Sequence, residues 1–187
     1  METVSRQPDP GAAPSPIGAR PVPAALRDFM SAFCTGVTVI TSIDGEGRPH
    51  GLTCTSLASV TLSPPTLLVC LNTGSGTLAA LRQSGGFAVN LLHERGRRAA
   101  ETFASRAADR FDRVRWCRSG TVGQPWLTDD AFALAECEVA DTVAVGDHVV
   151  VFGRVVGVEH VPEVPLLYGM RTFSSWFAAL PDEAPTA

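Results

Sequence analysis

The chain has 187 residues, of which 45% are hydrophobic and 18% charged, and its formal net charge is −4. These values predict one globular domain with a sizeable core and argue against a basic nucleic-acid-binding surface. No apolar run is long enough to span a bilayer, and the N-terminus lacks the apolar segment of a secretory signal, so we expect neither a membrane partner nor export.

The cysteines and histidines show no spacing typical of a disulfide framework or a metal site. The five cysteines are Cys34, Cys54, Cys70, Cys117 and Cys137. Their odd number and the absence of a C-x-x-C pair argue against both kinds of site, and the four histidines lack metal-ligand spacing. We therefore expect no metal, and we interpret the cysteines as small buried apolar residues in a reducing cytoplasm.

The two ends of the chain differ in composition from its middle. Residues 1–23 contain six of the 14 prolines and few large apolar residues, which predicts a disordered tail. We expect the folded domain to cover residues 24–180 and a second disordered tail to cover residues 181–187.

The first predicted elements are a helix and two strands. Apolar residues at helical spacing predict a helix over residues 24–33. A β-rich run predicts a strand over residues 37–43, and a turn follows at residues 44–47. The strand then resumes and runs from His50 to about Val60, and the Pro64-Pro65 pair ends it.

Strands and helices alternate in the middle of the chain. An unbroken apolar run predicts a buried strand over residues 66–71, and a short helix begins at residues 77–82. Residues 87–92 form a further apolar strand. Charged residues and alanines over residues 95–107 predict a helix on the surface.

The last third of the chain is mostly β. Partial alternation predicts a strand over residues 132–145, and a second long strand covers residues 147–159. Gly153 and Gly157 suggest bulges in that strand, and residues 166–168 could close the sheet. Six or seven strands with a few short helices predict a β-barrel with helical decoration.

Hydroxyl groups are concentrated after the first predicted turn. Thr53, Thr55, Ser56 and Ser59 alternate poorly with apolar residues, which is unlike a plain half-buried strand. Threonine is common in strands, so these residues alone favour a structural interpretation. Beside the loop that follows about fifteen residues later, they predict a site for a phosphate-bearing cofactor with a large polar ring.

That loop consists of small residues and leads directly into a helix. Backbone N–H groups at a helix start, with the hydroxyls of Ser75 and Thr77 nearby, suit a phosphate. The alternative is a capped helix that binds no ligand. Residues 74–79 also match the dinucleotide fingerprint G-x-G-x-x-A, with Glu94 twenty residues after Gly74. No repeating β–α pattern follows, which argues against a dinucleotide-binding βαβ fold.

Two further segments carry polar groups near aromatic or strand residues. His148 begins the last long strand, and a histidine beside a turn is commonly solvated or bonded to its aspartate neighbour. The segment Asp109-Arg110-Phe111 joins a charge pair to an aromatic ring, and its simplest interpretation is a loop anchored by Phe111.

In their order along the chain, these segments resemble the short-chain flavin reductase family, the small NAD(P)H:flavin oxidoreductases that serve two-component monooxygenases. The resemblance covers about residues 25–173. It rests on Phe33–Ile40, Gly51–Thr53, Ser56, Ser59-Val60, Pro64-Pro65, Asn72, Ser75, Thr77, Phe87, Val89, Asn90, Asp109–Phe111, Gly146–His148, Gly153–Val155 and Pro165–Tyr168.

The resemblance implies a mainly β split barrel with a few short helices, present as a homodimer. It implies FMN or FAD as cofactor, NADH or NADPH as co-substrate, and a partner monooxygenase that receives reduced flavin. The implied catalytic residue is His148, near the nicotinamide. The implied cofactor-binding residues are Thr53, Cys54, Thr55, Ser56, Ser59, Val60, Asn72, Ser75, Thr77, Asn90, Arg110, Phe111 and Tyr168.

Two alternatives share this fold. The protein could bind flavin without reducing free flavin, or it could act on an organic substrate of its own. Flavin-dependent oxidation of NAD(P)H separates the first alternative from a reductase, and product formation without a partner oxygenase identifies the second.

Overall fold

Seven antiparallel strands form the main sheet of the computed structural model, which describes residues 21–176. The strands are β1 (Thr35–Gly36), β2 (Thr38–Ile43), β3 (Pro49–Cys54), β4 (Ala58–Leu62), β5 (Pro65–Asn72), β6 (Gly86–Leu92), β7 (Cys117–Arg118), β8 (Pro125–Trp126), β9 (Ala131–Val145), β10 (His148–His160), β11 (Leu166–Gly169) and β12 (Thr172–Ser175). The helices are α1 (Val22–Ser31), α2 (Gly76–Ser84) and α3 (Arg97–Ala104), with 3₁₀ turns at Glu94–Gly96 and Arg110–Arg113.

The main sheet has the order β3-β2-β6-β9-β10-β5-β4, so β3 and β4 are its two edges. The strands β1, β11 and β12 form a smaller sheet, and β7 pairs with β8. The prediction of a mainly β fold with a few short helices is confirmed. Among residues 21–176, no helix is long and apolar enough to cross a membrane.

The predicted strand from His50 to Val60 is two strands on opposite edges of the sheet. β3 pairs with β2 and ends at Cys54, whereas β4 begins at Ala58 and pairs with β5. Ser56 lies between them, and its hydroxyl donates to the Cys70 carbonyl and accepts from the Cys70 amide. These side-chain bonds replace a backbone ladder at that point, so the chain can leave one edge and join the other.

Two glycines lie where the pairing of β9 with β10 is irregular. The register shifts between Phe152 and Gly153 and again between Val155 and Gly157, which confirms the predicted bulges. A Cβ atom at Gly153 would collide with the Phe87 ring. The ribbon can therefore pack closely over the core only because this position has no side chain.

The core consists of two apolar clusters, one on each face of β2. Ile40 contributes to the cluster that packs Leu78 and Leu81 of α2 against the sheet. Val39 contributes to the second cluster, which contains Phe103 of α3. The alternation of side chains along a strand therefore places α2 and α3 on opposite faces of the same strand.

Two sequence predictions need correction in this part of the chain. Residues 95–107 form a shorter helix, Arg97–Ala104, and it is half-buried because Ala99, Ala100, Thr102 and Phe103 face the sheet. Cys54 and Cys137 are buried as expected, but Cys34 and Cys117 are exposed. Cys34 follows α1, which buries none of its residues, and Cys117 lies on a two-residue strand at the surface.

The predicted tails can be compared with the structure only at their inner boundary. α1 begins at Val22, two residues before the predicted domain boundary, with Pro21 as its N-cap and a proline in its first turn. Proline suits the first helical turn because its missing N–H would have no partner there. The remainder of both predicted tails, residues 1–20 and 177–187, lies outside the described residues.

Glu136 on β9 holds a surface loop onto the sheet through a buried carboxylate. Its side chain accepts hydrogen bonds from the Ser119 hydroxyl and from the Thr121 and Val122 amides, and the residue is 3% exposed. Burial alone would raise the pKa of this carboxyl. The hydrogen bonds from Ser119 and Val122 outweigh that effect, so the pKa of Glu136 lies below its ordinary value.

We expect Glu136→Gln to lower the free energy of unfolding by about 1–3 kcal/mol near neutral pH, because its amide group cannot accept all of these bonds. A lowered folded-state pKa gives stability that is present above the unfolded pKa and is lost as pH falls through the folded pKa. The difference between the two proteins should therefore shrink at about pH 3, below the ordinary glutamate pKa. Urea unfolding at both pH values measures it.

The control is Glu138→Gln, two residues along the same strand, where the carboxylate is half-exposed and pairs with Arg154. That exposed pair should contribute at most about 1 kcal/mol. Equal losses for the two variants would contradict the role given to Glu136.

Candidate functional site

Three cavities meet where β3 ends. We call them the central cavity (about 470 Å³), the strand-end cavity (about 340 Å³) and the helix-side cavity (about 310 Å³). Thr55 lines all three, and it is exposed. Tyr168 and Phe173 complete the central cavity, Asn72 and His148 the strand-end cavity, and Met30 and Phe33 the helix-side cavity.

The hydroxyl cluster divides into anchoring groups and one accessible group. The Thr53 hydroxyl donates to the Ala100 carbonyl at 2.6 Å and ties β3 to α3. The Ser56 hydroxyl is bonded to the Cys70 backbone, as described above. Only Thr55 presents an exposed side chain at the junction of the cavities. The neighbouring anchors therefore fix the backbone on which Thr55 stands.

Cys54 belongs to the core rather than to the exposed wall. Its side chain packs in the cluster with Ile40 and Val69, and its thiol lies 3.0 Å from the Ser56 hydroxyl. Burial raises the pKa of this thiol, so it stays protonated at neutral pH and donates to Ser56. Cys54 thus supports the loop at residues 55–57.

Ser59 and Val60 lie farther along, on β4. All five residues of this edge strand are exposed. Ser59 pairs with Leu67 of β5, and a register shift separates it from Thr61. The structure therefore places these two predicted residues on an open strand edge beyond the junction of the cavities.

The start of α2 is a rigid, capped loop. Asn72 Oδ1 accepts from the Gly74 amide, and Ser75 Oγ accepts from the Thr77 and Leu78 amides. Ser75 is the N-cap, so the predicted cap is present. Its hydroxyl proton remains available to a ligand. Thr77 is 2% exposed, so it lies inside the fold instead of on the loop surface.

His50 supports this loop from β3. A Cβ atom at Gly76, the first residue of α2, would lie 3.3 Å from His50 Nδ1. His50 Nε2 is 2.9 Å from Asp44 Oδ2. The hydrogen bonds from His50 and from the Arg48 amide hold the pKa of Asp44 well below its usual range. The hairpin at residues 44–48 is thereby fastened beside the helix start.

His148 and Asn72 are directly opposite each other on β10 and β5. The His148 Nδ1 atom is 2.8 Å from Asp147 Oδ1, and a carboxylate can only accept, so Nδ1 carries the proton. This hydrogen bond lowers the pKa of Asp147. The bond fixes the imidazole at the rim of the strand-end cavity with Nε2 left for a ligand.

Arg110 and Phe111 fix the position of β3 through contacts at Gly51 and Phe103. The Arg110 guanidinium donates to the Gly51 carbonyl at 2.9 Å. Phe111 packs edge-to-face on Phe103 and Trp116. A Cβ atom at Gly51 would lie 2.8 Å from the Phe103 ring and 3.2 Å from Phe111. These residues set the position of the strand that carries Thr53 and Thr55.

Asn90 lies in the core and not at a cavity wall. It is 0% exposed. Its Nδ2 group donates to the carbonyls of Val39 and Pro125 and to the Thr41 hydroxyl, and its Oδ1 accepts from the Leu127 amide. Asn90 therefore joins β2 and β6 to residues 125–127, whereas the sequence analysis expected it to contact the cofactor.

Several lining residues escaped the sequence analysis. Glu101 of α3 and Ser105, the C-cap of α3, line the central cavity beside Phe173. Phe173, which the sequence analysis missed, stands on β12 opposite the predicted Tyr168 on β11, with ring centroids 5.1 Å apart. An aromatic residue on either side of a short turn is the signal that would have indicated this wall.

Comparison with known proteins identifies the family of this chain. Residues 30–176 match the family described as flavin reductase like domain. The chain belongs to the flavin reductase family. It is 58% identical over 159 residues to a flavin reductase (NADPH) from Lentzea aerocolonigenes, and that match covers 85% of this chain and 93% of the relative.

Solved structures of the family share the fold. The NADH:FAD oxidoreductase of Streptomyces globisporus, solved with NAD and FAD fragments, superposes with a TM-score of 0.77 at 31% identity and covers 87% of this chain and 95% of its own. The styrene monooxygenase flavin reductase of Pseudomonas putida gives a TM-score of 0.74 at 34% identity, with 83% and 99% covered.

The cavities fit the cofactor that the family name implies. The central cavity has the size of a ligand site and mostly apolar walls, including Tyr168 and Phe173, as a flat aromatic ring requires. Thr55 adds an exposed hydroxyl to the lining of this cavity. The capped start of α2 has a serine hydroxyl that can donate to a phosphate.

Proposed function

We propose that this chain is an NAD(P)H-dependent flavin reductase that supplies reduced FMN or FAD to a separate monooxygenase. The observation that carries the proposal is the junction of the three cavities at Thr55, flanked by His148 on one side and the Tyr168–Phe173 pair on the other. The names of the relatives support the reaction and the kind of partner.

When bound, flavin supplies the ring that accepts a hydride from reduced nicotinamide. The chain has to hold two rings in contact and keep water out. Val37, Tyr168 and Phe173 provide apolar walls for this purpose in the central cavity. Thr55 can donate a hydrogen bond at the ring edge, where negative charge develops. Cys54, buried and protonated, leaves no reactive thiolate beside the rings.

We propose that His148 orients the nicotinamide. Its Nδ1–H bond to Asp147 leaves Nε2 as an acceptor at the strand-end cavity. An acceptor in that position suits the amide hydrogens of a carboxamide. We assign His148 a part in binding the co-substrate, and the reaction needs no proton from it.

The first test of the function is oxidation of NAD(P)H by the purified protein with FMN, FAD or riboflavin. Oxidation should occur only in the presence of flavin. In the same assay His148→Ala should raise the KM for NAD(P)H and leave the flavin Kd unchanged, because alanine has no acceptor for the carboxamide of the co-substrate. Flavin binding without oxidation would identify a carrier protein, and product formation from an organic substrate without a partner would identify the other alternative.

We place the flavin phosphate at the start of α2, where Ser75 donates its hydroxyl proton. The informative variant is Ser75→Gly, because glycine at an N-cap weakens a helix by only a few tenths of a kcal/mol. Loss of a hydrogen bond to a charged group should weaken FMN about 10- to 100-fold. Riboflavin has no phosphate, so its Kd should hardly change in the same fluorescence titration. An equal loss of affinity for FMN and riboflavin would show that the flavin phosphate does not bind at this loop.

We infer that the protein is a split-barrel homodimer, since its α1 helix buries none of its residues. Phe29 is 73% exposed, and Leu26 and Phe33 are also exposed on the same segment. Leu62 on the edge strand β4 is 87% exposed. Monomeric proteins rarely leave such apolar surfaces uncovered, and a second copy would cover them and border the helix-side cavity.

Light scattering at micromolar concentration should give twice the chain mass of 19.7 kDa. The variant Phe29→Lys places a charge in the proposed interface and should shift the mass toward the monomer. A monomer mass for the unaltered protein would refute the dimer.

The five cysteines are all free, which supports a location in the reducing cytoplasm.

A further inference from the structure

Phe173 separates the central cavity from another cavity of about 370 Å³. We call this second space the arginine cavity. It is lined by Arg95, Arg97, Phe173, Ser174 and Ser175, with Glu94 also in its wall. Two guanidinium groups and two hydroxyls around one cavity are the donors that recognise a phosphate.

Arg97 is oriented by two contacts. Its guanidinium carbon lies 5.3 Å from the centroid of the Phe173 ring, so it stacks on the aromatic face. Its Nε donates to Glu101 Oε1 at 2.8 Å. A guanidinium has five N–H donors, and the bond at Nε leaves the terminal nitrogens for another acceptor. Arg97 is thus pre-positioned on the wall shared by the two cavities.

Arg95 is held in a similar way on the other side of the cavity. Its two terminal nitrogens donate to Glu163, at 2.7 and 3.2 Å. This ion pair fixes the arginine but neutralises much of its charge. Arg97 is therefore the residue better suited to bind a second anion.

The strength of the existing ion pair decides whether an anion can compete. The Arg97 and Glu101 side chains are 63% and 52% exposed. An exposed pair of this kind contributes no more than about fivefold to an equilibrium constant. A hydrogen bond to a charged group contributes about 10- to 100-fold. A phosphate dianion should therefore bind Arg97 despite Glu101 and Glu94.

The arginine cavity adjoins the site of the reaction. Phe173 lines both this cavity and the central cavity, and Thr53 and Thr55 line both the central cavity and the strand-end cavity, where His148 lies. A dinucleotide with its nicotinamide near His148 could therefore follow this path to Arg97. NADPH differs from NADH only in a phosphate on the 2′ position of its adenosine ribose.

We propose that the arginine cavity receives the 2′-phosphate of NADPH and that Arg97 makes the enzyme prefer NADPH to NADH. The inference rests on the proposed function, because it needs the nicotinamide in the central and strand-end cavities. It adds a specificity-determining residue that lies outside the flavin site.

The test compares 2′,5′-ADP, which carries the phosphate in question, with 5′-ADP, which lacks it. Calorimetric titration of the unaltered protein should show tighter binding of 2′,5′-ADP. Arg97→Gln should weaken 2′,5′-ADP about 10- to 100-fold and leave 5′-ADP within about twofold. Arg97→Lys keeps the charge and should restore part of the difference. The control is Arg154→Gln. Arg154 is an exposed arginine in the middle of β10 that pairs with Glu138, and the variant should leave the affinity for both ligands unchanged.

Glu101→Gln gives a result of opposite sign. It frees the Arg97 side chain and removes a carboxylate that repels the phosphate, so 2′,5′-ADP should bind more tightly while 5′-ADP is unchanged. With flavin present, the ratio of kcat/KM for NADPH to kcat/KM for NADH should fall in Arg97→Gln and rise in Glu101→Gln. A merely structural role for Arg97 would not produce this pair of opposite shifts.

Three outcomes would overturn the proposal. One is an equal effect of Arg97→Gln on 2′,5′-ADP and 5′-ADP, or no effect on either. Another is no preference for 2′,5′-ADP in the unaltered protein. The third is weaker FAD binding with FMN and 2′,5′-ADP unchanged, which would assign the cavity to the adenylate half of FAD. The titrations need no turnover, so their failure can be told apart from an absence of flavin-dependent NAD(P)H oxidation.

Discussion

The site depends on one serine hydroxyl that substitutes for a strand partner. Ser56 accepts from the Cys70 amide and donates to the Cys70 carbonyl, so a side chain satisfies backbone groups of β5 that a neighbouring strand would otherwise bind. The chain can then leave β3, cross residues 55–57 and return as β4 on the opposite edge. The cavities meet at this crossing, and Thr55 is exposed there because no strand covers it.

Buried polar groups hold loops onto the main sheet. Asn90, Glu136 and Asp44 each accept or donate several hydrogen bonds to loops that would otherwise be free to move. Their bonds are satisfied inside the protein, so the cost of burying them is offset. Thr55, Asn72 and His148, which line the cavities, are in contrast exposed. The fold thus separates groups that hold the frame from groups that can bind.

Two sides of the opening differ in chemistry. The strand-end side carries Asn72 and His148 and leads to the capped start of α2. The other side carries the Tyr168–Phe173 pair and leads past Phe173 to the arginines at the start of α3. A site with a separate exit on each side can hold one phosphate-bearing molecule from each direction while their rings meet in the middle. This is the arrangement that a reaction between two nucleotide cofactors requires.

Local pattern was sufficient to predict much of the fold. The apolar run of β5, the bulges at Gly153 and Gly157 and the cap at Ser75 all follow from neighbouring residues, whose φ/ψ preferences and hydrogen bonds act within a few positions. The hydroxyl cluster was equally visible. The sequence by itself determined most of the strands and helices, but it indicated one strand from His50 to Val60 where the structure has two.

Only the tertiary structure decided which hydroxyl groups of that cluster anchor the backbone and which one is accessible. Thr53, Thr55 and Ser56 look alike in the sequence, yet only Thr55 is exposed, since the other two bond to carbonyls 47 and 14 residues away. Asn90 and Thr77 are buried for the same reason: the partners that cover them are distant in the chain. Residues of α3 and β12 line the cavity because packing brings them there. Burial and hydrogen bonding depend on such long-range contacts, and a local pattern carries no information about them.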